Sequence, residues 1–316
     1  MAKKRNKVFI LLVKLTISSA ILYFVLRKAG IREVYLTLRE MNPLSFIAAL
    51  LLYLLSLFTS TIRWKVLLTP LGKKFGNLTT FRLFSLYLMG AFFNRFLPGI
   101  VGGDAVRTYY LYKDTDRGSL SLATVFADRY MGFLAMITLG LIAIPFGINK
   151  IRGTGVEWAV PVIALIFIAI SFFIFVLKIG KRFSTIRGFH KYFRKLKDSP
   201  IVLLKTFALS IVIQVIGICT VYILSVGIGA DASLIEFFLF IPIINTLTTL
   251  PISISGLGIR EGAFVMLLGL TGISPEVATS ISLAWFLSYT VGSMPGIIVY
   301  IKWRVKDEPE GPSVPA

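Results

Sequence analysis

Long apolar runs alternate along the chain with short polar segments rich in Lys and Arg, a pattern that predicts membrane-spanning helices. A run of about 20 apolar residues matches a hydrocarbon core about 30 Å thick. Residues 8–26 form one such run, interrupted only by Lys14, which can snorkel from near the helix end. Residues 41–62, 130–149, 158–177, 206–230 and 277–301 form five more. Three apolar stretches do not fit. Residues 83–94 are charge-free for only 12 positions, between Arg82 and Arg95. Residues 237–259 are long enough but are broken by Pro242, Pro251 and a Ser/Gly-rich stretch, and residues 262–275 are short again.

Basic residues in short loops orient such a chain, because they stay on the cytoplasmic side. The N-terminus carries Lys3, Lys4, Arg5 and Lys7, and the segment after the second run carries Arg63, Lys65, Lys73 and Lys74. Residues 178–198 hold eight Lys and Arg against Asp198 alone, and the tail carries Lys302, Arg304 and Lys306. All four segments, both termini included, are therefore assigned to the cytoplasm, with the chain in the cytoplasmic (inner) membrane. An even number of crossings must then separate residues 63–80 from 178–198, yet three apolar elements lie between them. The 12-residue run is the one that cannot cross, and it becomes one arm of a re-entrant hairpin whose polar arm returns through Asp116. The same count makes residues 234–275 a second hairpin, entering from the opposite side. Each half then reads span, span, broken hairpin, span. The reading is an all-α polytopic membrane protein in one domain, with about six full spans and two re-entrant hairpins in an inverted-topology repeat. The repeats are residues 1–149 and 157–302, followed by a polar tail, 303–316.

The hairpin turns share a motif. Residues 97–107 read LPGIVGGDAVR and residues 250–260 read LPISISGLGIR, with four identities in eleven and Val106 opposite Ile259. Pro98 and Pro251 are the helix breakers. The alternative is two unrelated kinks in a bundle of eight ordinary spans.

Composition sharpens this picture. The chain is 56% hydrophobic, against about 45–50% on a similar count for soluble domains. Its net charge of +19 fits the positive-inside rule and attraction to anionic headgroups. No nucleic-acid motif accompanies it, so nucleic acid is not an expected partner. The apolar run after MAKKRNK lacks a small-residue cleavage site and is read as a retained span. Cys219 is the single cysteine and His190 the single histidine, so no disulfide or metal site follows, and no cofactor is expected. Residues 31–40 read as an interfacial helix, and residues 186–198 as a cytoplasmic interfacial loop touching anionic lipid.

Charges inside apolar sequence need a reason, since one at the bilayer centre costs about 2.5–3.5 kcal/mol on insertion scales. The candidates are Arg95, Asp104, Arg107, Asp128, Arg129, Arg260 and Glu261. Asp104 can pair with Arg107. Neighbours on a helix do not face one another, so Asp128-Arg129 and Arg260-Glu261 are expected to bond across elements, as Arg260 with Asp128 or Arg107 with Glu261. Broken helices free backbone N–H groups that bind anions. Gly102, Gly103, Gly256 and Gly258 would let a headgroup approach that backbone. Arg107 and Arg260 would clamp a phosphate, with Asn94 alongside. This points to an anionic, phosphate-bearing amphiphile near mid-membrane; the alternative is that the charges only staple the hairpins together. The carboxylates of Asp104, Asp128 and Glu261 are candidates for coupling. No Ser/His/Asp set, phosphate loop or dinucleotide fingerprint is present, and His190 in its basic segment is a weak candidate base.

FNRFLPGIVGGDAVR, FADRYMGF and LPISISGLGIREGAF together resemble the lysylphosphatidylglycerol synthase transmembrane-region family, a flippase-like membrane domain that also occurs alone, and the resemblance covers nearly the whole chain. In the family an acidic-Arg pair recurs where this chain has Asp128-Arg129, Glu being the more usual acid. The resemblance implies lipid translocation or lipid binding. Family members with a cytosolic domain transfer an aminoacyl group from tRNA to phosphatidylglycerol. That activity is not expected here, because only 15 residues follow Ile301. The expected function is thus lipid flipping or transport, with membrane lipids, anionic or lipid-linked, as partners. The alternatives are a membrane enzyme modifying a lipid or polyprenyl-linked sugar, and an accessory subunit of a separate lipid synthase.

Overall fold

The computed structural model describes residue 16 and residues 18–96, 102–175, 184–249 and 256–307. Pro98 and Pro251 lie outside these, as do residues 8–15 and 17 of the first apolar run. The described residues are helical, without strands. In chain order the helices are α1 (residues 18–29), α2 (Ile31–Glu40), α3 (Pro43–Leu68), α4 (Lys73–Gly76), α5 (Thr80–Phe96), α6 (Gly102–Thr115) and α7 (Gly118–Ile151). There follow α8 (Ala159–Phe175), α9 (Ser184–Lys197), α10 (Pro200–Ile228), α11 (Leu234–Thr249), α12 (Ile259–Gly269), α13 (Pro275–Ser293) and α14 (Pro295–Asp307).

Five helical stretches in the described residues are long and apolar enough to cross a membrane: Pro43–Leu71, Gly118–Ile151, Val156–Ile174, Pro200–Ile228 and Pro275–Trp303. They correspond to five of the six runs read from the sequence. Their ends follow local chemistry. Asn42 caps α3 by accepting from the Leu44 N–H at 2.9 Å, with Pro43 in the first turn. Pro200 and Pro275 open α10 and α13. Gly229, at φ 81°, closes α10 in a left-handed conformation.

Several boundaries differ from the sequence reading. Arg63 belongs to the interior of α3, not to a loop after it, because Trp64, Leu67 and Leu68 extend the buried face by another turn. Pro242 does not break its run; it lies inside α11, seated against Gly140 of α7. Residues 186–197 are helix rather than loop. Tyr192 and Leu196, four apart, bury one face of α9, and the Tyr192 hydroxyl donates to the Leu67 carbonyl at 3.0 Å. The last span divides at Met294, ahead of Pro295, and α14 runs into the segment read as tail.

Helices α3 and α10 form the most extensive helix contact among the described residues and run antiparallel. The Asn42 N–H donates to the Gly227 carbonyl at one end (2.9 Å), and Arg63 donates to the Ser210 hydroxyl near the other (2.9 Å). Around this axis the neighbours of one half recur in the other. Helix α3 packs on α5 and α7, as α10 packs on α11 and α13. Helix α6 lies against α7, as α12 lies against α13. Helix α9 covers α7 and the end of α3, as α2 covers α13 and touches α10.

Two hairpins, α5/α6 and α11/α12, open at opposite ends of this bundle. The open end of α5/α6 lies beside the C-terminal ends of α3 and α14, where Lys65 donates to Thr80 and Arg82 stacks on Trp303. The start of α11 lies instead at the far end of α7, where Glu236 pairs with Lys150. Each hairpin has its own apolar core. One gathers Trp64, Leu83, Leu86, Met89 and Leu111; the other gathers Phe237, Phe240, Phe264, Leu267 and Ile281. Helix α8 leaves most of its apolar surface, including Leu165, Ile168 and Phe172, exposed.

Candidate functional site

The first hairpin closes through glycine. A Cβ on Gly103 would stand 1.8 Å from the Gly90 carbonyl oxygen, so α5 and α6 meet backbone to backbone. The Asn94 side chain accepts from the Gly103 N–H at 2.9 Å and satisfies one of the free donors at the start of α6. This contact brings Arg107 across Gly90 and into the middle of the bundle.

There the charges form one connected network. Arg107 donates to Asp104 at 3.0 Å and to Asp128 at 3.3 Å. Arg63 donates to the other oxygen of Asp128 at 2.9 Å. The Tyr87 hydroxyl also donates to Asp128. Arg129 forks onto both oxygens of Asp104, at 2.8 and 2.9 Å. The Arg107 guanidinium lies 4.2 Å from the Tyr87 ring centroid and 4.9 Å from that of Trp64. Asp128, Arg107 and Arg63 are all buried, so each charge is held by its partners rather than by water.

The second hairpin has a separate cluster. Arg260 bonds the adjacent Glu261, and both bond Ser282, at 2.9 and 3.1 Å. The expected cross-element pairs, Arg260 with Asp128 and Arg107 with Glu261, do not form. Glu261 turns back to accept from the Gly258 N–H at the start of α12 (2.6 Å), which swings its carboxylate into reach of the long Arg260 side chain. Asp128 and Arg129 do bond across elements, but with Arg63, Arg107 and Asp104.

A cavity of about 690 Å³ lies between the two hairpins. Its floor is the first network: Arg63, Asp104, Arg107, Asp128 and Arg129. Asn94 and Arg95 enter from the end of α5, and Asn245, Thr248, Thr249 and Gly256 from the other hairpin. Tyr53, Phe126, Tyr130, Phe133, Phe167 and Tyr289 supply aromatic walls, and Gln214 an amide. Arg260 and Glu261 do not line it; Arg260 is buried over the Phe286 ring at 4.7 Å. The expected clamp of Arg107 and Arg260 on one headgroup is therefore not assembled. Among the glycines, Gly256 lines the cavity and Gly102 opens α6. Gly103 is filled by α5, and Gly258 by Ser18, Ile21 and Leu22 of α1. These two admit neighbouring helices, not a ligand.

Among the described residues, four arginines (Arg63, Arg95, Arg107, Arg129) and two aspartates (Asp104, Asp128) line the cavity. Arg63 was hidden from the sequence reading by its neighbours Lys65, Lys73 and Lys74, which made it look like part of a basic loop. The sign that could have found it is the apolar helical face continuing past it. Tyr53, Tyr87, Gln214 and Asn245 carried no signal beyond being polar within apolar runs. Among the described residues, no group of His, Cys, Asp and Glu is arranged to hold a metal.

Fold and site together define a multi-pass, all-α membrane protein with an arginine-lined cavity between two helical hairpins. The chain belongs to the lysylphosphatidylglycerol synthase transmembrane-region family, whose model matches residues 11–296. Its relatives include a UPF0104 membrane protein of Methanothermobacter thermautotrophicus, 26% identical, with 79% of this chain and 82% of the relative covered. Another is a UPF0104 membrane protein of Methanocaldococcus jannaschii, 28% identical, with 69% of this chain and 98% of the relative covered.

Proposed function

We propose that this protein is a lipid flippase or transporter that holds an anionic, phosphate-bearing headgroup in the cavity between its hairpins. The observation that carries the reading is the lining of that cavity, in which arginines outnumber aspartates among the described residues. A lining richer in arginine than in carboxylate favours a guest that brings negative charge, and arginine forks match phosphate oxygens. We read α5/α6 and α11/α12 as re-entrant hairpins. At 1.5 Å per residue, α6 (14 residues) and α12 (11 residues) reach about 21 and 16 Å, short of a bilayer core. The recurring neighbours and the opposite-facing hairpins support an inverted repeat. Rocking of one half against the other would then expose the cavity to each face in turn. The basic end of the bundle, with Lys65, Lys73, Lys74 and α9, is assigned to the cytoplasm of the cell membrane. The enzyme reading would need a carboxylate free to act as acid or base, whereas Asp104 and Asp128 are both committed to guanidinium groups.

The test is tracer movement in liposomes. Fluorescent phosphatidylglycerol should cross protein-containing bilayers faster than protein-free ones and be recovered chemically intact. Arg95→Gln/Arg129→Gln, which removes two of the four described lining arginines, should lower the rate about tenfold or more. Equal rates with and without protein, or a chemically altered tracer, would rule this reading out.

A further inference from the structure

A second, smaller cavity of about 330 Å³ forms a groove between α6 and α7. The chain builds it from stripes of i, i+4 spacing. Helix α6 gives Thr108 and Tyr112, with Ala105 and Tyr109 beside them, and α7 gives Gly118 and Leu122. Asp116 sets the two helices side by side. It takes a left-handed conformation (φ 60°) and its N–H donates to the Tyr112 carbonyl at 2.6 Å, so the chain turns back within two residues. Small residues leave the space open: Ala105 forms one wall, and a Cβ on Gly118 would meet only the Tyr112 ring, at 3.4 Å. The surface of the groove is almost wholly apolar, the Thr108 hydroxyl being buried. Tyr109, Tyr112 and Leu122 are exposed at its rim. Helix α7 is one of the membrane-length stretches, so the medium at this rim is the bilayer.

Asp104 belongs to both cavities. On one side it faces the arginine-lined site, and on the other it closes the end of the groove. Arg129 forks onto it through Nε and Nη2, and its Nη1 bonds to none of the described residues. That side chain lines the larger cavity and is itself largely exposed. A charged donor thus stands in reach of the outside at the point where the apolar groove begins. From Asp104 to Tyr112 the groove follows α6 for about 12 Å, at 1.5 Å per residue. A helix is about 10–12 Å across with its side chains and would lie over a groove of this volume, not in it. A single hydrocarbon chain is narrow enough to enter.

We propose that this groove seats an acyl chain of the lipid whose phosphate is held at Arg129, with the Asp104–Arg129 ion pair as the sill between headgroup and chain. The inference rests on the headgroup-binding reading and adds to it a second site, for the chain. Lipid tails are as apolar as the groove, so the gain is packing rather than release of water. The chain fills the space between Ala105, Tyr109 and Leu122, and a molecule that is headgroup alone gains nothing there. The chain leaves the bundle between α6 and α7, so only the headgroup has to enter the protein.

The experiment uses phosphatidylglycerol with a photoreactive diazirine in one acyl chain, irradiated with the purified protein in detergent. Crosslinks should fall on the groove residues of α6 and α7, and unlabelled phosphatidylglycerol with the same chains should reduce them roughly tenfold or more. Ala105→Trp, which fills the groove, should remove these crosslinks and weaken phosphatidylglycerol binding roughly tenfold. Ala105→Leu should do so in part, and it serves as the test if the Trp variant does not fold. Leu165→Trp, which adds similar bulk on the exposed face of α8, should change neither. Arg129→Gln should also weaken the groove crosslinks, because the two sites hold one molecule. Crosslinks spread equally over the groove and α8, and undiminished by unlabelled lipid, would overturn the inference. So would a groove that a second copy of the chain covers in place of lipid. Unchanged phosphatidylglycerol affinity in the Ala105 variants would overturn it while the headgroup reading stands. Absence of saturable phosphatidylglycerol binding by the unaltered protein would overturn both.

Discussion

Asp128 answers two buried arginines at once, and neither has water to fall back on. Removing one partner of such a pair costs about 3–5 kcal/mol, because the remaining charge stays buried. Asp128→Asn should therefore lower the unfolding midpoint in detergent strongly, and more than Arg129→Gln, whose side chain is 57% exposed. In a double-mutant cycle, Arg63→Gln/Asp128→Asn should cost less than the sum of its single changes. Additive costs would mean that the Arg63–Asp128 bond carries no energy. The sequence flags Asp128 readily, as a charge in an apolar run. It flags Arg63 poorly, because a basic residue near the end of a span reads as a topology signal. It misassigns Arg260 and Glu261, because side-chain spacing on an ideal helix says nothing of a carboxylate folded back onto its own helix start.

Helix lengths and orders follow from the apolar runs, so the elements were largely legible; their contacts were not. The Gly90–Gly103 approach is a tertiary fact. LPGIVGGDAVR announces a turn and small residues, but not which helix fills the space they leave. Gly103→Ala should gain about 1 kcal/mol of helix propensity. It should lose more, toward or beyond the upper end of the about 1–3 kcal/mol typical of overpacking, because the clash is with backbone. Gly76→Ala, which meets open space, is the control. A Gly103→Ala protein as stable as the control would show that α5 and α6 do not touch there. Hairpin direction is tested by single cysteines in a Cys219→Ser background. Cysteines at Asn77 and Asp116 should react with an impermeant reagent from one side of the membrane, and those at Asp231 and Gly269 from the other. Reaction of Asn77 and Asp116 from opposite sides would make α5/α6 a crossing element rather than a hairpin.

For the molecule as a whole, the apolar runs predict an all-α multi-pass protein, and the described residues hold five helical stretches long and apolar enough to cross a membrane. Run length needs only the order of apolar residues, which is why that much architecture was legible in the sequence. Cavity composition is different. It is set by which faces of α3, α5, α7, α10 and α11 converge, and no single-sequence pattern encodes that. The convergence moves the weight of the site from Arg260 to Arg63, Arg95 and Arg129. It also changes the expected chemistry from a two-arginine clamp to a cavity lined by several arginines and aspartates together with amide and aromatic side chains. The most direct test is native mass spectrometry of the protein released from its own membrane. The account predicts one retained anionic phospholipid or phosphate-linked lipid per protein, lost from Arg95→Gln/Arg129→Gln. Retention of a zwitterionic or cationic lipid, or equal retention by that double variant, would contradict it.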